Sequence, residues 1–278
     1  MMIKSAIVED NFINKVFNQD IMQVLNVIPD SSIDMIYSDP DYNVGIKYNN
    51  KSYSKKFDEY IDWYIELAKE SLRVLKDDGN MFFINYPKQN AYLWVKYLDR
   101  ACRNVHEYVW IYNTNVGHSP KKFTTAHRTI LHCTKSKDNK WFKEAVAEEY
   151  LNPNDKRIKQ NIINGSKGRM PYSWLYYNLV KNISKDKTIH SCQIPLGLTE
   201  KLLKASTQPR DLVLIHFGGS GSEILLAKKL GRDYISAEID PIYYNMILER
   251  LEKGGKIPDK YRLDKFKKEQ EVSLFTIR

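Results

Sequence analysis

The chain has 278 residues, of which 42% are hydrophobic and 28% are charged, and this composition excludes a disordered or fibrous protein. No apolar run approaches the roughly 20 residues of a membrane-spanning helix, and residues 1–11 lack the apolar core of a signal peptide. We therefore expect a cytoplasmic globular protein with no membrane partner, long enough for one large domain or two small ones.

Charge and cysteine usage narrow the choice of partners. The chain has 43 basic and 34 acidic residues, a net charge of +9 that favours a polyanionic partner, although a lysine-rich composition alone produces the same balance. Its 19 tyrosines and 5 tryptophans favour nucleic acid over a membrane surface, because aromatic rings stack on bases. The three cysteines form no CxxC pair, so we expect neither a disulfide framework nor a metal site.

The first predicted elements are a helix and a strand. Apolar residues recur at helical spacing over residues 12–27, and a Pro-Asp-Ser-Ser segment at 29–32 ends that pattern. Residues 33–37 alternate like a half-buried strand. Residues 43–57 are rich in lysine and tyrosine and weakly periodic, which predicts a loop that acts as a lid, contacts nucleic acid or is merely solvated.

Helices and strands then alternate. An amphipathic helix over residues 58–76 is predicted to end at Asp77-Asp78-Gly79. A strand at 80–86, a helix at 88–101 and a strand at 105–112 follow. The alternation predicts an α/β fold, in which a doubly wound, mostly parallel sheet carries helices on both faces.

The middle of the chain has a different character. Residues 113–125 are polar, and a short strand is predicted at 129–134. Residues 135–188 are irregular and basic, with tryptophans and tyrosines interspersed. We interpret 113–188 as an insertion that recognises something large and anionic, although its aromatic residues also suit the small core of a solvated subdomain.

The last third predicts a nucleoside-binding unit. Its predicted elements are a helix at 199–206, strands at 211–217 and 233–237, a helix at 223–230 and an edge strand at 272–277. A glycine-rich turn, Gly218-Gly219-Ser220-Gly221, follows the first of these strands, and Glu238 ends the second about 20 residues later. Glycines let the backbone approach a cofactor, and an acid at this spacing bonds ribose hydroxyls. A tight turn with a surface glutamate is the alternative.

The early strand and the late turn are expected to meet. In a doubly wound sheet, the strand that carries the glycine-rich turn neighbours the strand across the switch point, so both strand ends open into one crevice. The segment Asp39-Pro40-Asp41-Tyr42 directly follows the 33–37 strand. Asp39 can accept hydrogen bonds, Pro40 fixes the backbone and Tyr42 can stack on a flat ring. An ordinary Asp-Pro turn is the alternative.

These motifs resemble those of the DNA amino-methyltransferases, in the permuted β-type order that places the catalytic motif before the cofactor motif. Asp39-Pro40-Asp41-Tyr42 resembles the DPPY tetrad of that family, and the segment from Phe217 to Gly221 resembles its FxGSG turn. The segment from His190 to Leu203 resembles the one that precedes this turn in the family. The resemblance covers nearly the whole chain.

The resemblance implies a domain arrangement. Residues 1–112 and 189–278 would form a Rossmann-like catalytic domain that uses S-adenosylmethionine. Residues 113–188 would form a target-recognition insertion, because the permuted order places target recognition at this point of the chain.

The resemblance also implies the reaction. The methyl donor is S-adenosylmethionine, the product is S-adenosylhomocysteine and no metal takes part. Asp39 and the carbonyl of Pro40 would accept hydrogen bonds from the exocyclic amine of a flipped base, which pulls the nitrogen towards tetrahedral geometry. Tyr42 would stack on that base. The expected cofactor-binding residues are Asp20, Phe217, Gly218, Gly219, Ser220, Gly221 and Glu238.

Double-stranded DNA is the implied partner, and binding would depend steeply on salt because basic side chains hold phosphates. The residues expected to contact DNA are Lys47, Lys51, Lys121, Lys122, Arg128, Arg157, Lys167 and Arg169. Enzymes of this kind commonly serve restriction–modification systems, so a cognate restriction endonuclease is a further implied partner. Homodimers are common in the permuted group.

Four departures from the family pattern indicate a divergent subfamily. Asp41 stands where the family has proline, and Ile215 stands where aspartate is usual. Ser222-Glu223 replaces a frequent Thr-Thr pair, and Ile194 replaces a lysine that often precedes the proline. Because of these departures, reduced or lost activity is an alternative.

The identity of the modified group has alternatives. Asp39 at the first tetrad position favours the N6 amine of adenine, and the N4 amine of cytosine is the alternative with the same fold and site. A catalytically inactive DNA-binding partner subunit is a second hypothesis, against which the retention of Asp39, Pro40 and Tyr42 argues. A methyltransferase acting on RNA or on a protein amide is a third, and the basic insertion favours nucleic acid over protein.

Overall fold

Strand β2 (Ile33–Ser38) lies in the middle of the molecule, and all six of its residues are buried. The two main apolar clusters of the core lie against opposite faces of this strand, which is why large side chains occupy successive positions along it. The computed structural model describes residues 11–49, 51–113, 120–182 and 184–266. The strand expected at 33–37 is confirmed.

The other strands of the main sheet are β1 (Lys15–Phe17), β5 (Leu75–Asn85), β6 (Asn104–Ile111), β7 (His127–Thr134), β8 (Trp174–Tyr176), β9 (Leu212–Ile215) and β10 (Asp233–Ala237). A separate hairpin consists of β3 (Lys47–Tyr48) and β4 (Lys51–Ser52). The eight-stranded sheet has the order β1-β10-β9-β2-β5-β7-β6-β8. Neighbours pair in parallel, except that β7 is antiparallel to β5 and β6. The expected α/β fold with a mostly parallel sheet is confirmed.

Helices cover both faces of this sheet. They are α1 (Ile21–Leu25), α2 (Phe57–Val74), α3 (Pro87–Leu93), α4 (Asp99–Ala101), α5 (Lys143–Val146), α6 (Lys156–Ile163), α7 (Leu196–Ser206), α8 (Ser222–Lys229) and α9 (Pro241–Glu252), with a π-helical turn at Trp94–Leu98. The apolar side of α2 packs on one face of the sheet, and α7 and α8 pack on the other. Across the described residues, none of the helices is long and apolar enough to cross a membrane.

The helix expected over residues 12–27 is wrong in its first half. Residues 15–17 form β1, which pairs in parallel with residues 235–237 of β10, and only 21–25 form a helix. Asp20 accepts a hydrogen bond from the N–H of Met22 and so begins that helix as its N-cap. The strand depends on a partner more than 200 residues away, so local periodicity could not reveal it.

The helix stop expected at Asp77-Asp78-Gly79 is also wrong. Helix α2 already ends at Val74, and these residues lie inside β5. They occupy an irregular stretch of the β2–β5 ladder, in which Leu75 pairs with Ile33 but Asn80 pairs with Met35. A Cβ at position 79 would lie 2.9 Å from the carbonyl oxygen of Asp34, so Gly79 permits a close approach of two strands rather than ending a helix.

The range 113–188, interpreted as one target-recognition insertion, contains both strands and helices. Strands β7 and β8 lie within this range but belong to the main sheet, where β7 joins β5 to β6. Within the range, residues 135–173 lie outside the sheet and carry α5 and α6. The edge strand expected at 272–277 lies outside the described residues.

A buried carboxylate joins the amino ends of the central strands. Asp34 accepts hydrogen bonds from Lys140 (2.7 Å), Lys76 (2.8 Å) and the backbone N–H of Leu212 (2.9 Å). Burial acts to raise the pKa of Asp34, but the bonds from Lys140 and Lys76 outweigh it and hold the pKa below its usual value. The contribution to folding is therefore present above about pH 4, the unfolded pKa, and is lost as pH falls through the lower folded pKa.

We expect Asp34→Ala to lower the free energy of unfolding by about 2–3 kcal/mol at pH 7. Lys76 and the N–H of Leu212 would lose the acceptor Asp34, and Lys140 would keep Asp211 but lose Asp34. Urea unfolding measures this change. Asp77→Ala is the matched control, since the side chain of Asp77 is 83% exposed and lies 3.9 Å from Lys135, and it should cost less than about 0.5 kcal/mol. Equal effects of the two variants would contradict the assigned role of Asp34.

Candidate active site

The crevice expected between two strand ends is present. Strand β2 pairs in parallel with β9, with Tyr37 opposite Ile215, so the chain after each strand leaves the sheet at the same edge. A cavity of about 220 Å³ lies at this edge. Asp39 and Pro40 line it from the β2 side, and Phe217 lines it from the β9 side.

Asp39 follows β2 directly and is partly buried at the cleft. Its Oδ1 accepts a hydrogen bond from the hydroxyl of Tyr42. Burial raises the pKa of Asp39 to about 6, while the Tyr42 hydrogen bond and the charge of Arg128 oppose that rise. At pH 7.5 Asp39 is therefore mainly an ionised acceptor.

Asp41 also lines the cleft. Its Oδ1 accepts a hydrogen bond from the N–H of Asn43 (2.8 Å), and its backbone carbonyl accepts one from the hydroxyl of Tyr60 (2.7 Å). Its Oδ2 is buried and has no hydrogen-bond partner among the described residues. Burial raises the pKa of Asp41. The unusual acid of the tetrad thus stabilises the turn after Pro40 with one oxygen and leaves the other unpaired.

The ring of Tyr42 does not line the cleft that Asp39 lines. Tyr42 is buried, packs edge-on against Tyr86, and lines a second cavity of about 450 Å³ together with Trp110 and Arg128. The sequence suggested an open stacking surface next to Asp39. In the structure, the hydroxyl of Tyr42 bonds Asp39 and its ring is reached from the second cavity.

The glycine-rich turn connects β9 to α8 through two left-handed residues. Gly219 has a φ of +51° and Gly221 a φ of +76°, a region that favours glycine. Gly218, Gly219 and Ser220 line the cleft. Gly221 lies behind them and begins α8, where a Cβ would lie 3.0 Å from Ile247. The turn therefore presents backbone to the cleft with no side chain at Gly218 or Gly219.

The two acids expected at the cofactor also line the cleft. Glu238, at the end of β10, accepts hydrogen bonds from the N–H of Gly219 (2.7 Å) and the N–H of Asp240 (2.8 Å). Burial raises the pKa of Glu238 to about 7, although these backbone bonds oppose the rise. Asp20 reaches the cleft from the start of α1.

The cleft carries a large excess of acid. Among its described lining residues are one lysine, Lys55, and the carboxylic acids Asp20, Asp39, Asp41, Glu223, Glu238 and Asp240. Burial raises the pKa of Glu223 to about 8 and lowers the pKa of His190 to about 4, so both are neutral at pH 7. No group of three or more possible metal ligands occurs among the described residues. The excess of acids favours a cationic ligand in the cleft.

The hairpin of β3 and β4 covers one side of the cleft. Tyr48 is buried against His190, with the ring centres 5.3 Å apart. The N–H of Asn49 donates to the hydroxyl of Tyr243 (3.0 Å), and its side-chain amide donates to Asp240 (3.1 Å). The 43–57 segment, expected to be a loop, is thus partly a hairpin packed over the cleft.

Sequence reasoning missed several lining residues. They are Tyr37, Tyr48, Tyr53, Lys55, Tyr60, Trp63, His190, Cys192, Ile239, Asp240 and Tyr243, together with Glu223, which was noted only as a departure. The aromatic residues among them resemble ordinary core residues in sequence. Glu223 had one usable signal, since an acid in the first turn after a glycine-rich loop is unusual where an anionic ligand is bound.

Most of the basic residues expected at DNA are on the surface. The exposed ones are Lys47, Lys121, Lys122, Arg157 and Lys167. Arg169 is half-buried and forms an ion pair with Glu148 at 2.8 Å. The side chain of Lys51 lies outside the described part of the structure.

Arg128 does not lie on the surface, unlike most of the basic residues expected to contact DNA. It was expected to contact DNA, but it is buried in β7 among aromatic rings. Its side chain lines the second cavity rather than the open surface, where groups that bind the DNA backbone usually lie. Its buried position among aromatic rings favours a role inside the protein.

Sequence comparisons identify the family of the chain. The profile of the DNA methylase family matches residues 33–249. The type II methyltransferase M.BglII of Bacillus subtilis is 31% identical over 255 residues, which cover 86% of this chain and 69% of that protein. The DNA adenine methyltransferase YhdJ of Escherichia coli (strain K12) is 27% identical over 246 residues, covering 85% of this chain and 82% of that protein.

Solved structures share the fold. The PvuII DNA methyltransferase (cytosine-N4-specific) superposes with a TM-score of 0.65 at 19% identity, over 91% of this chain and 90% of its own. The M1.HpyAVI–SAM complex superposes with a TM-score of 0.55 at 20% identity, over 85% of this chain and 98% of its own. Because the family profile matches most of the sequence, the chain belongs to the DNA methylase family, the S-adenosylmethionine-dependent enzymes that methylate N6 or N4 amines in DNA.

Proposed function

We propose that the protein transfers a methyl group from S-adenosylmethionine to the N6 amine of a flipped adenine in double-stranded DNA. The observation that carries this proposal is the junction of β2 and β9, which brings the Asp39 carboxylate and the glycine-rich turn into one acidic cleft. The alternative base is cytosine, at N4. Both amines can meet the same carboxylate, and the similar fold of a cytosine-N4-specific enzyme does not favour adenine.

The cleft fits the cofactor in shape and charge. The turn at Gly218 and Gly219 lines the cleft and would allow close backbone approach to the methionine part. Glu238 and Asp20 also line the cleft and would bond the nucleoside. When bound, the cofactor supplies a methyl group on a positively charged sulfonium. The excess of carboxylic acids favours this cation over the product, S-adenosylhomocysteine, which lacks the sulfonium charge.

Asp39 and Pro40 would act on the amine of the base. The lone pair of the amine is delocalised into the ring, so its nitrogen is a poor nucleophile. Hydrogen bonds to the carboxylate of Asp39 and the carbonyl of Pro40 favour the tetrahedral nitrogen and stabilise the positive charge that develops on it. The pKa of Asp39, about 6, keeps it an acceptor at neutral pH.

We expect Asp39→Ala to lower the rate of methyl transfer by at least about 100-fold, because the charge on the amine loses its acceptor. DNA binding should persist. Nucleoside mass spectrometry after incubation with mixed DNA measures transfer, and a mobility shift measures binding. Asp41→Asn is the matched control, with an expected loss of less than about tenfold. Full activity of Asp39→Ala would exclude this mechanism.

The same assay decides the base. N6-methyladenine is the expected product, since Asp39 occupies the first tetrad position and YhdJ, a relative, is named a DNA adenine methyltransferase. Detection of N4-methylcytosine would instead identify cytosine as the target base. Absence of any modified nucleoside with wild-type protein would favour an inactive DNA-binding subunit.

Cofactor binding should release a proton. Glu223 lines the cleft with a pKa raised by burial to about 8, so it is protonated in the free protein at pH 7. A cation nearby lowers this pKa, so binding expels up to about one proton and affinity rises between pH 6 and pH 7.5.

Titration calorimetry in buffers of different ionisation enthalpy counts the released protons. Glu223→Gln should reduce the number of protons released on cofactor binding, because the proton of Glu223 is absent. Binding of S-adenosylhomocysteine should release fewer protons than binding of S-adenosylmethionine. Proton uptake by the wild-type protein would contradict this assignment.

The loop before β7 is the proposed DNA-facing edge. Because β7 is antiparallel to β5, its first residue lies at the same edge of the sheet as the ends of β2 and β9. Phe123 in this loop is fully exposed and follows the exposed Lys122. An exposed aromatic residue beside basic residues suits insertion into a base stack. The basic residues of 135–173 are proposed to complete the DNA contact.

We expect Phe123→Ala to slow methylation of duplex DNA by about tenfold, because the aromatic ring proposed to insert into the base stack, the wedge, is removed. Single-stranded DNA, and a duplex with a mismatch at the target base, should be methylated at nearly the wild-type rate. Val95→Ala, at an exposed apolar residue on the π-helical turn, is the matched control. Equal losses on duplex and single strand would refute the wedge.

A restriction–modification context is part of the proposal. The relatives include proteins named type II methyltransferases. A cognate restriction endonuclease and a second copy of the chain are therefore the proposed protein partners. Sedimentation of the purified protein tests the second copy.

A further inference from the structure

Four aromatic rings surround the guanidinium of Arg128, and one of them belongs to Tyr42 of the Asp39–Tyr42 segment. Its Cζ lies 4.5 Å from the ring centre of Tyr42, 5.1 Å from Trp110, 5.2 Å from Tyr86 and 5.3 Å from Tyr112. Arg128 is 7% exposed, and its Nε has no hydrogen-bond partner within the described chain. The negative faces of aromatic rings attract a cation at these distances. The rings thus partly replace the water that the guanidinium loses.

The cage is anchored to the sheet. Arg128 on β7 pairs directly with Trp110 on β6, and the indole N–H of Trp110 donates to the carbonyl of Tyr177 at 2.7 Å. Tyr86 comes directly before α3 and packs edge-on against Tyr42. Rigid elements therefore determine where the charge of Arg128 lies.

We propose that Arg128 is a positioning residue for methyl transfer, which clamps the ring of Tyr42 and through it holds the carboxylate of Asp39 in place and charged. The proposal rests on the proposed function. Tyr42 connects them, because its ring contacts the guanidinium and its hydroxyl donates to Asp39. No phosphate contact is involved.

The electrostatics of the site agree with this geometry. Burial raises the pKa of Asp39 to about 6, and the Tyr42 hydrogen bond and the charge of Arg128 oppose that rise. Among the described residues, further titratable groups that interact with Asp39 are Tyr37, Asp41, Tyr48, Tyr60, Tyr64, Cys192 and Glu223. Burial raises the pKa of each of them. All except Asp41 therefore remain uncharged near pH 6, where Asp39 titrates.

The test is the pH profile of kcat with duplex DNA and saturating cofactor. The wild-type rate should rise as pH increases, with an apparent pKa of about 6. This rise is the acidic limb of the profile. Arg128→Met and Arg128→Gln should move this acidic limb upward by about one pH unit, since an opposite charge is lost. They should also lower kcat about tenfold at pH 7.5 and change KM for DNA less than about twofold. Arg128→Lys, which keeps a charge on a shorter side chain, should shift the limb less.

Two controls accompany these variants. Arg100→Gln removes an exposed arginine in α4, at the opposite edge of the sheet, and should leave the profile unchanged. Asp41→Asn identifies any contribution of Asp41 to the acidic limb. Calorimetric binding of S-adenosylmethionine should be equal in wild type and the Arg128 variants.

Two outcomes would overturn the proposal. One is an unmoved limb with a reduced kcat, which would leave Arg128 a purely structural residue. The other is an unmoved limb with a raised KM for DNA and a weaker salt dependence, which would make it a phosphate ligand. If the neutral variants do not fold, Arg128→Lys decides: its acidic limb should still move upward, although by less than one pH unit. Wild-type protein that methylates no DNA would instead refute the proposed function.

Discussion

The parallel pairing of β2 with β9 is the constraint on which the site depends. Tyr37 lies opposite Ile215, so the chain segments that follow both strands leave the sheet at one edge. Asp39 and the turn at Gly219 therefore meet, although about 180 residues separate them in the chain. The sheet on either side of this pair is buried by helices on both faces, which makes the position of the two strand ends rigid.

The second feature of the site is its charge. Six carboxylic acids and one lysine line the cleft among the described residues, and burial raises the pKa of Asp39, Glu223 and Glu238. Such a cleft is costly without a cation, because buried acids repel one another and lose hydration. A sulfonium cofactor relieves that cost. Behind Tyr42, the caged guanidinium of Arg128 supplies an opposite charge that acts on Asp39.

Several expectations failed where distant parts of the chain decide the outcome. Residues 15–17 are helical by periodicity but form β1, because β10 offers an unpaired edge. Gly79 resembles a helix stop but allows β5 to approach β2. In sequence, Arg128 resembles a surface arginine close to Lys121 and Lys122. The strand pairing of β7 instead directs its side chain inward, where aromatic rings surround it. In each case the neighbour in space is remote in sequence.

The sequence by itself determined the alternation of helices and strands, the glycine-rich turn with Glu238, and Asp39 at a strand end, because these depend on local periodicity and on residue types that few other positions require. Only the tertiary structure decided which side chains share the cleft, where Tyr42 and Arg128 point, and which acids are protonated. Those properties depend on burial and on the distance between charges, and both are set by strand order and packing rather than by any short segment of the chain.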